Sequence, residues 1–166
     1  MRPVSRDDRG QAGGIEVLPF GLLVFVIGVL IAANAWAVVD AKLATDAAAR
    51  EATRRFIEAR VTDPRQADAA ASEAAATGLE ALAAHGRDPS RASVTLSSLG
   101  DVAGGGFVRC ARATFTASYR LPVLTVPLMH SFGSGIEVRS RHSELVDPFR
   151  DGVPGEVPAG EGDACT

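Results

Sequence analysis

Three histidines, two cysteines and one carboxylate at the lip of an apolar run are the side chains best suited to chemistry. His85, His130 and His142 fall in three separate stretches. None has the i,i+4 or paired-cysteine spacing that gathers ligands at one metal. Gly133-Ser134-Gly135 lacks the flanks of a nucleophile elbow, and Gly104-Gly105-Gly106 is not followed by the Lys and Ser or Thr of a phosphate loop. Asp and Glu are scattered over polar faces, with no pair at a legible catalytic separation. The expectation is a chain with no catalytic residue, no metal or cofactor site and no small-molecule substrate. Cys110 and Cys165 are too few for a disulfide framework and too far apart for a zinc motif. Outside the cytoplasm they can close one bridge that ties the C-terminal stretch to the domain, and inside it they stay reduced. Glu16 either meets a cationic partner within the membrane or marks the boundary of the apolar run and reaches water.

The elements that must position these groups begin with that run. Residues 17–39 hold no charge, and at 1.5 Å per residue they reach roughly 34 Å, enough to cross a hydrocarbon core of about 30 Å. Eleven large apolar side chains, among them Leu22, Phe25, Ile27 and Ile31, each favour insertion by about 0.3 to 0.6 kcal/mol near the centre. Pro19 is expected in the first helical turn, where its missing donor is harmless, and Asn34 and Trp36 at the far interface. Arg2, Arg6 and Arg9 precede the run, so the positive-inside rule puts the N-terminus in the cytoplasm and the remainder outside. The competing reading is a secretory signal cut at Ala35-Trp36-Ala37, which would release a soluble secreted binding protein beginning after Ala37. Against it, the run exceeds the usual signal core of about 7 to 15 residues.

At 166 residues and 46% hydrophobic content the chain suits one modest domain. Its net charge is -3, with Lys42 the sole lysine and the arginines dispersed among carboxylates, so no basic field invites nucleic acid. Past the apolar run, Ala44, Ala48, Ala52 and Phe56 recur every four residues, with Leu43 and Ala47 beside them, which predicts that the helix continues to about Arg60. Asp46 with Arg50 and Glu51 with Arg55 stand in the acid-then-base order that supports it. Asp63, Pro64 and Gln66 form a capping-box arrangement for a second, alanine-rich helix that runs to about His85 and stops at Gly86.

The period then changes to two. Val94 and Leu96 mark a short strand; Phe107, Ala111, Ala113, Phe115, Ala117, Tyr119 and Leu121 share the buried face of the next. Arg112, Thr114, Thr116, Ser118 and Arg120 share its wet face. The stretch between Leu121 and Gly135 reads as a connection, and a last strand follows over residues 136–146. The fold class is therefore α+β: a long N-terminal membrane-spanning helix continuing into an extramembrane helix, a second helix, and a small antiparallel sheet of about three strands. The expected organisation is a cytoplasmic leader (1–14), a transmembrane helix (15–39), an extracytoplasmic α+β domain (40–146) and a disordered tail (147–166) rich in Pro, Gly and acid.

The stretch Arg9-Gly10-Gln11-Ala12-Gly13-Gly14-Ile15-Glu16-Val17-Leu18-Pro19, followed by an apolar run and Ala47-Ala48-Ala49-Arg50-Glu51-Ala52, resembles TadE-like pseudopilins. That resemblance covers about the first third of the chain. It implies a minor pseudopilin of a tight-adherence pilus or secretion apparatus, inserted in the cell membrane as a single-pass protein and acting in assembly. It further implies cutting by a prepilin peptidase between Gly10 and Gln11, and pairing of Glu16 with the free N-terminal amine of a neighbouring pilin-like subunit. Glu16 is the sixth residue after Gly10, where the family usually places it fifth, and Val17 stands where an aromatic is common.

Overall fold

The computed structural model describes residues 13–100, 106–121, 135–155 and Cys165, with only the backbone of 13–16 and no side chain for Pro64. The architecture is α+β. One helix, α1 (Gly13–Glu58, 46 residues), carries the whole apolar run and continues without a break into the domain. A second helix, α2 (Ala67–Ala84), returns beside its distal half. Three strands, β1 (Ala92–Leu99), β2 (Arg112–Leu121) and β3 (Ile136–Leu145), form an antiparallel sheet in the order β1-β2-β3.

Small side chains set the spacing between the helices. Ala44, Ala48 and Ala52 of α1 and Ala74 and Gly78 of α2 are buried. A methyl group added at Gly78 would stand 2.9 Å from the Ala48 carbonyl oxygen and 3.1 Å from Ala52 Cβ, so the contact admits nothing larger than hydrogen there. Leu82 and Phe56 fill the space that remains; Phe56 meets Phe107 edge-on at 5.2 Å between centroids and Phe115 at 5.5 Å. Aromatic pairs of this kind add about 0.5 to 1.5 kcal/mol beyond the area they bury.

The alternation expected for β2 is present: Ala113, Phe115, Ala117, Tyr119 and Leu121 face the helices, and Arg112 and Arg120 face solvent. The strand begins later than its pattern suggests. Phe107 and Ala111 are buried, but residues 107–110 turn instead of extending, with Cys110 at φ 63°. Cys110 N–H donates to the Val146 carbonyl and Arg109 N–H to the Pro154 carbonyl, so hydrogen bonds to the C-terminal stretch replace strand pairing.

Several local expectations are corrected. Because α1 starts at Gly13, Pro19 lies inside the helix, where it forgoes the bond to the carbonyl four residues earlier. Arg55 reaches across to Glu73 of α2 rather than back to Glu51, whereas Asp46 and Arg50 pair at 3.1 Å. The capping box opens instead as a 3-10 turn, Pro64–Gln66: Asp63 accepts from Arg65 N–H at 2.9 Å, and Gln66 accepts from Thr62 N–H at 3.3 Å. At the other end Gly86, at φ 70°, stops α2 as expected.

The C-terminal stretch is also corrected. Residues 147–155, placed by composition in a disordered tail, are packed on the domain. Val153 is buried, and the Arg150 guanidinium donates to the last carbonyls of α1, those of Ile57 and Glu58. Such a bond satisfies groups that every helix C-terminus leaves open, an interaction composition does not register.

Candidate functional site

The most unusual feature of the molecule is the division of α1. Its apolar stretch has a mean hydropathy of 2.6, none of it is buried, and it is long and apolar enough to cross a membrane by length and composition. Phe20, Phe25, Ile31 and Trp36 each stand more than half exposed. Beyond Asp40 the same helix is the centre of the core, with Ala41, Ala44, Thr45, Ala48, Ala49, Ala52, Thr53 and Phe56 all buried. The 46-residue helix thus has one bare and one seated half.

The seat has two sides. Ala44, Ala48 and Ala52 face α2, as the four-residue repeat implied. The side toward the sheet is built on Ala41, Thr45, Ala49 and Thr53 and was hidden by its two threonines, while Leu43, read as part of the stripe, is 61% exposed. Thr53 Oγ1 donates to the Ala49 carbonyl at 2.7 Å and reaches the His142 carbonyl at 3.2 Å. Thr45 Oγ1 donates to the Lys42 carbonyl at 2.9 Å. A hydroxyl bonded to its own helix backbone can be buried cheaply.

At the junction between the two halves, polar contacts lock helix to sheet. Lys42 Nζ donates to Ser140 Oγ at 2.8 Å and to the Arg139 carbonyl at 2.5 Å, and Ser140 Oγ lies 2.8 Å from Thr45 Oγ1. Asp40, the first charged residue after the apolar stretch, is paired with Arg87, which follows α2. The Arg87 guanidinium lies over the Tyr119 ring, 5.8 Å from its centroid, a cation–π contact. Arg87 Nε is buried without a hydrogen-bond partner among the described residues.

Of the three histidines singled out in the sequence, the two described are not brought together. His85 is exposed after α2; His142 Nε2 is 2.8 Å from Glu144 Oε1 on the same strand; His130 lies outside the described residues. Among the described residues no group of three His, Cys, Asp or Glu is placed to hold a metal. Gly10 and Gln11, proposed for processing, and Ser134 lie outside the described residues. Glu16 is within α1, and its side chain is likewise outside what is described. Gly135 adopts φ 89° as it leads into β3. Cys110 and Cys165 are joined by a disulfide across 55 positions.

Electrostatic perturbations fall on exposed carboxylates and arginines. Asp88 is held below the usual carboxylate range by hydrogen bonds from the Ser90 hydroxyl and N–H, which favour its ionised form. Glu137 is held low chiefly by its hydrogen bond from Arg139 Nε at 2.8 Å. Both shifts are the signature of satisfied surface carboxylates rather than of a poised acid or base. No family model, no curated protein and no solved structure matches this chain.

Proposed function

We propose that this chain is a membrane-anchored, minor pseudopilin-like component of a tight-adherence pilus or secretion apparatus, acting in assembly rather than catalysis. The observation that carries the reading is the undivided helix α1, bare over its apolar stretch and buried in the domain beyond Asp40. A helix of that form presents lateral surface to lipid and to other helices while displaying a folded head. Support for the pilin-like class comes from the resemblance at Gly10, Glu16 and Ala47-Ala48-Ala49-Arg50-Glu51-Ala52. In this reading the N-terminus is cytoplasmic and the domain extracytoplasmic. A prepilin peptidase cuts after Gly10, and Glu16 pairs with the new amine of a neighbouring subunit, an ion pair that lowers the cost of a carboxylate within the bilayer. An extracytoplasmic domain also suits a disulfide between Cys110 and Cys165.

The mature N-terminus, read by mass spectrometry, tests this directly. A start at Gln11 is expected. A start at Val38 identifies a cleaved secretory signal and a released protein, and a start at Met1 or Arg2 leaves a plain signal anchor. In a strain that makes such pili, deletion of the gene abolishes assembly and adhesion. Glu16→Gln impairs assembly while carbonate-resistant membrane association is retained, because an amide inserts at least as easily as a carboxylate.

A further inference from the structure

The end of the domain from which the bare helix emerges carries an open cleft of about 380 Å³, lined by Ser90, Arg91, Ser93, Ser118, Arg120 and Glu137. That volume is at the small end of the range for ligand clefts. Its height is set by contacts with α1. Asp40 pairs with Arg87, Arg87 covers Tyr119, and Tyr119 pairs across the sheet with Ala92 and Val138. β3 runs in the same direction as α1, since Ser140 meets Lys42 and Thr45 whereas His142 meets Thr53. Glu137, three residues before Ser140, therefore lies on the side nearer the apolar stretch, as do Arg120, its partner in the sheet, and Arg91, one residue before Ala92. The headgroup layer extends about 5 to 7 Å beyond the hydrocarbon, the rise of roughly four or five helical residues. If α1 crosses the bilayer up to Asp40, the cleft is level with that layer.

The cleft's charges are unequally occupied. Glu137 is engaged by Arg139, and Asp88, which borders the lining, by Ser90. Arg91 and Arg120 are exposed and feel Asp88 and Glu137 only at a distance. Neither guanidinium makes a hydrogen bond or ion pair among the described residues. Between them the Ser93 and Ser118 hydroxyls are bonded to each other at 2.9 Å, and the Ser118 hydroxyl is also hydrogen-bonded to Glu137. Counting neighbours, Arg91, Arg120 and Arg139 face Asp88 and Glu137, a net positive site whose free donors are two planar guanidinium forks, the geometry that grips phosphate oxygens in pairs.

We propose that this cleft seats the phosphate of an anionic phospholipid headgroup in the leaflet from which α1 emerges. The proposal rests on the membrane-anchor reading and adds to it a lipid contact that fixes the height and tilt of the head on the bilayer. The donor chemistry would suit a free phosphate as well, and the lipid is favoured because the cleft lies beside the emerging helix.

The test uses the full chain purified in a neutral detergent, with lipid retention followed by native mass spectrometry against added phosphatidylglycerol, phosphatidylcholine and, separately, inorganic phosphate. One phosphatidylglycerol is expected to be retained in preference to phosphatidylcholine. R91Q/R120Q, both at exposed positions, should weaken retention about thirtyfold, as expected for two surface arginines, with the Cys110–Cys165 bridge and circular dichroism unchanged. R50Q/R54Q, which removes the same charge farther along α1, should retain lipid as the unaltered chain does. Equal retention by R91Q/R120Q, or an equal loss in R50Q/R54Q, overturns the site. Displacement of lipid by millimolar inorganic phosphate makes it a free-anion site and overturns the lipid assignment. Release of the chain from membranes by carbonate removes the anchor reading itself, whereas a chain that stays anchored but ignores R91Q/R120Q sinks this inference alone.

Discussion

Lys42 Nζ stands 2.8 Å from Ser140 Oγ, so the chain's sole lysine joins the first turns of the seated half of α1 to the sheet. Ammonium groups only donate, so the bonds run one way: Lys42 to Ser140, Ser140 to Thr45, and Thr45 back to the Lys42 carbonyl. The chain of donors closes on the residue where it began. It leaves the hydroxyl of Ser140, only 3% exposed, fully engaged.

This closed chain predicts coupling. Ser140→Ala and Lys42→Met should each cost about 1 kcal/mol, the ordinary net worth of a hydrogen bond, and Ser140→Ala more if Thr45 loses a donor it cannot replace. The double variant should destabilise by less than the sum, with a coupling of about 0.5 to 1.5 kcal/mol. Urea unfolding of the four proteins measures it; strict additivity would show that the bonds act independently.

Gly78→Ala separates packing from helix propensity. Propensity alone predicts a gain of about 1 kcal/mol for alanine in the interior of α2. The new methyl, however, meets the backbone oxygen of Ala48 at 2.9 Å and Val94 Cγ1 at 3.0 Å, and a helix backbone does not rotate aside as a side chain does. A net loss of about 1 to 3 kcal/mol is expected. A more stable variant in thermal denaturation would show that α1 and α2 separate at little cost.

Opening the disulfide should release the C-terminal stretch. Closing a loop across 55 positions stabilises by about 4 kcal/mol in the chain-entropy account. Cys165→Ser should therefore lower stability by that order and raise amide exchange at Arg109 and Cys110, whose N–H groups bond to Pro154 and Val146. The unaltered protein should also migrate faster before reduction than after it. Unchanged exchange at these two amides would mean the stretch is held by Arg109 and Arg150 without covalent help.

Acid should weaken the end of the sheet beside Asp88 and Glu137. Asp88 and Glu137 have folded-state pKa values below their ordinary ones, owing to Ser90 and Arg139 respectively. Their contribution is fully present above the ordinary carboxylate value and is lost as pH falls through the depressed folded values. Asp88→Asn removes one of these titrations, so its stability should fall less steeply on acidification below pH about 4. Stability profiles of equal slope for the two proteins would discount Asp88 as a contributor.

Features that a single element expresses alone are legible in the residues. The uncharged run of residues 17–39, the alanine repeat through Ala52, the stop at Gly86 and the alternation from Ala113 to Leu121 are properties of single periods, and the α+β architecture follows from their order. Tertiary structure decided what depends on a partner distant in the chain. Thr45 and Thr53 lie outside the alanine repeat and are buried, because their hydroxyls are satisfied by their own helix and by β3. Phe107 to Cys110 read as strand and turn instead, because Val146 and Pro154 supply the bonds. Residues 147–155 read as disorder and are pinned by Arg109 and Arg150, and the Cys110–Cys165 bond adds a covalent tie. Arg91 and Arg120 are unremarkable until the sheet register sets them on one cleft. Local periodicity records which face of an element is apolar, whereas hydrogen bonds and charge pairs form between positions that the chain separates and only folding brings within reach.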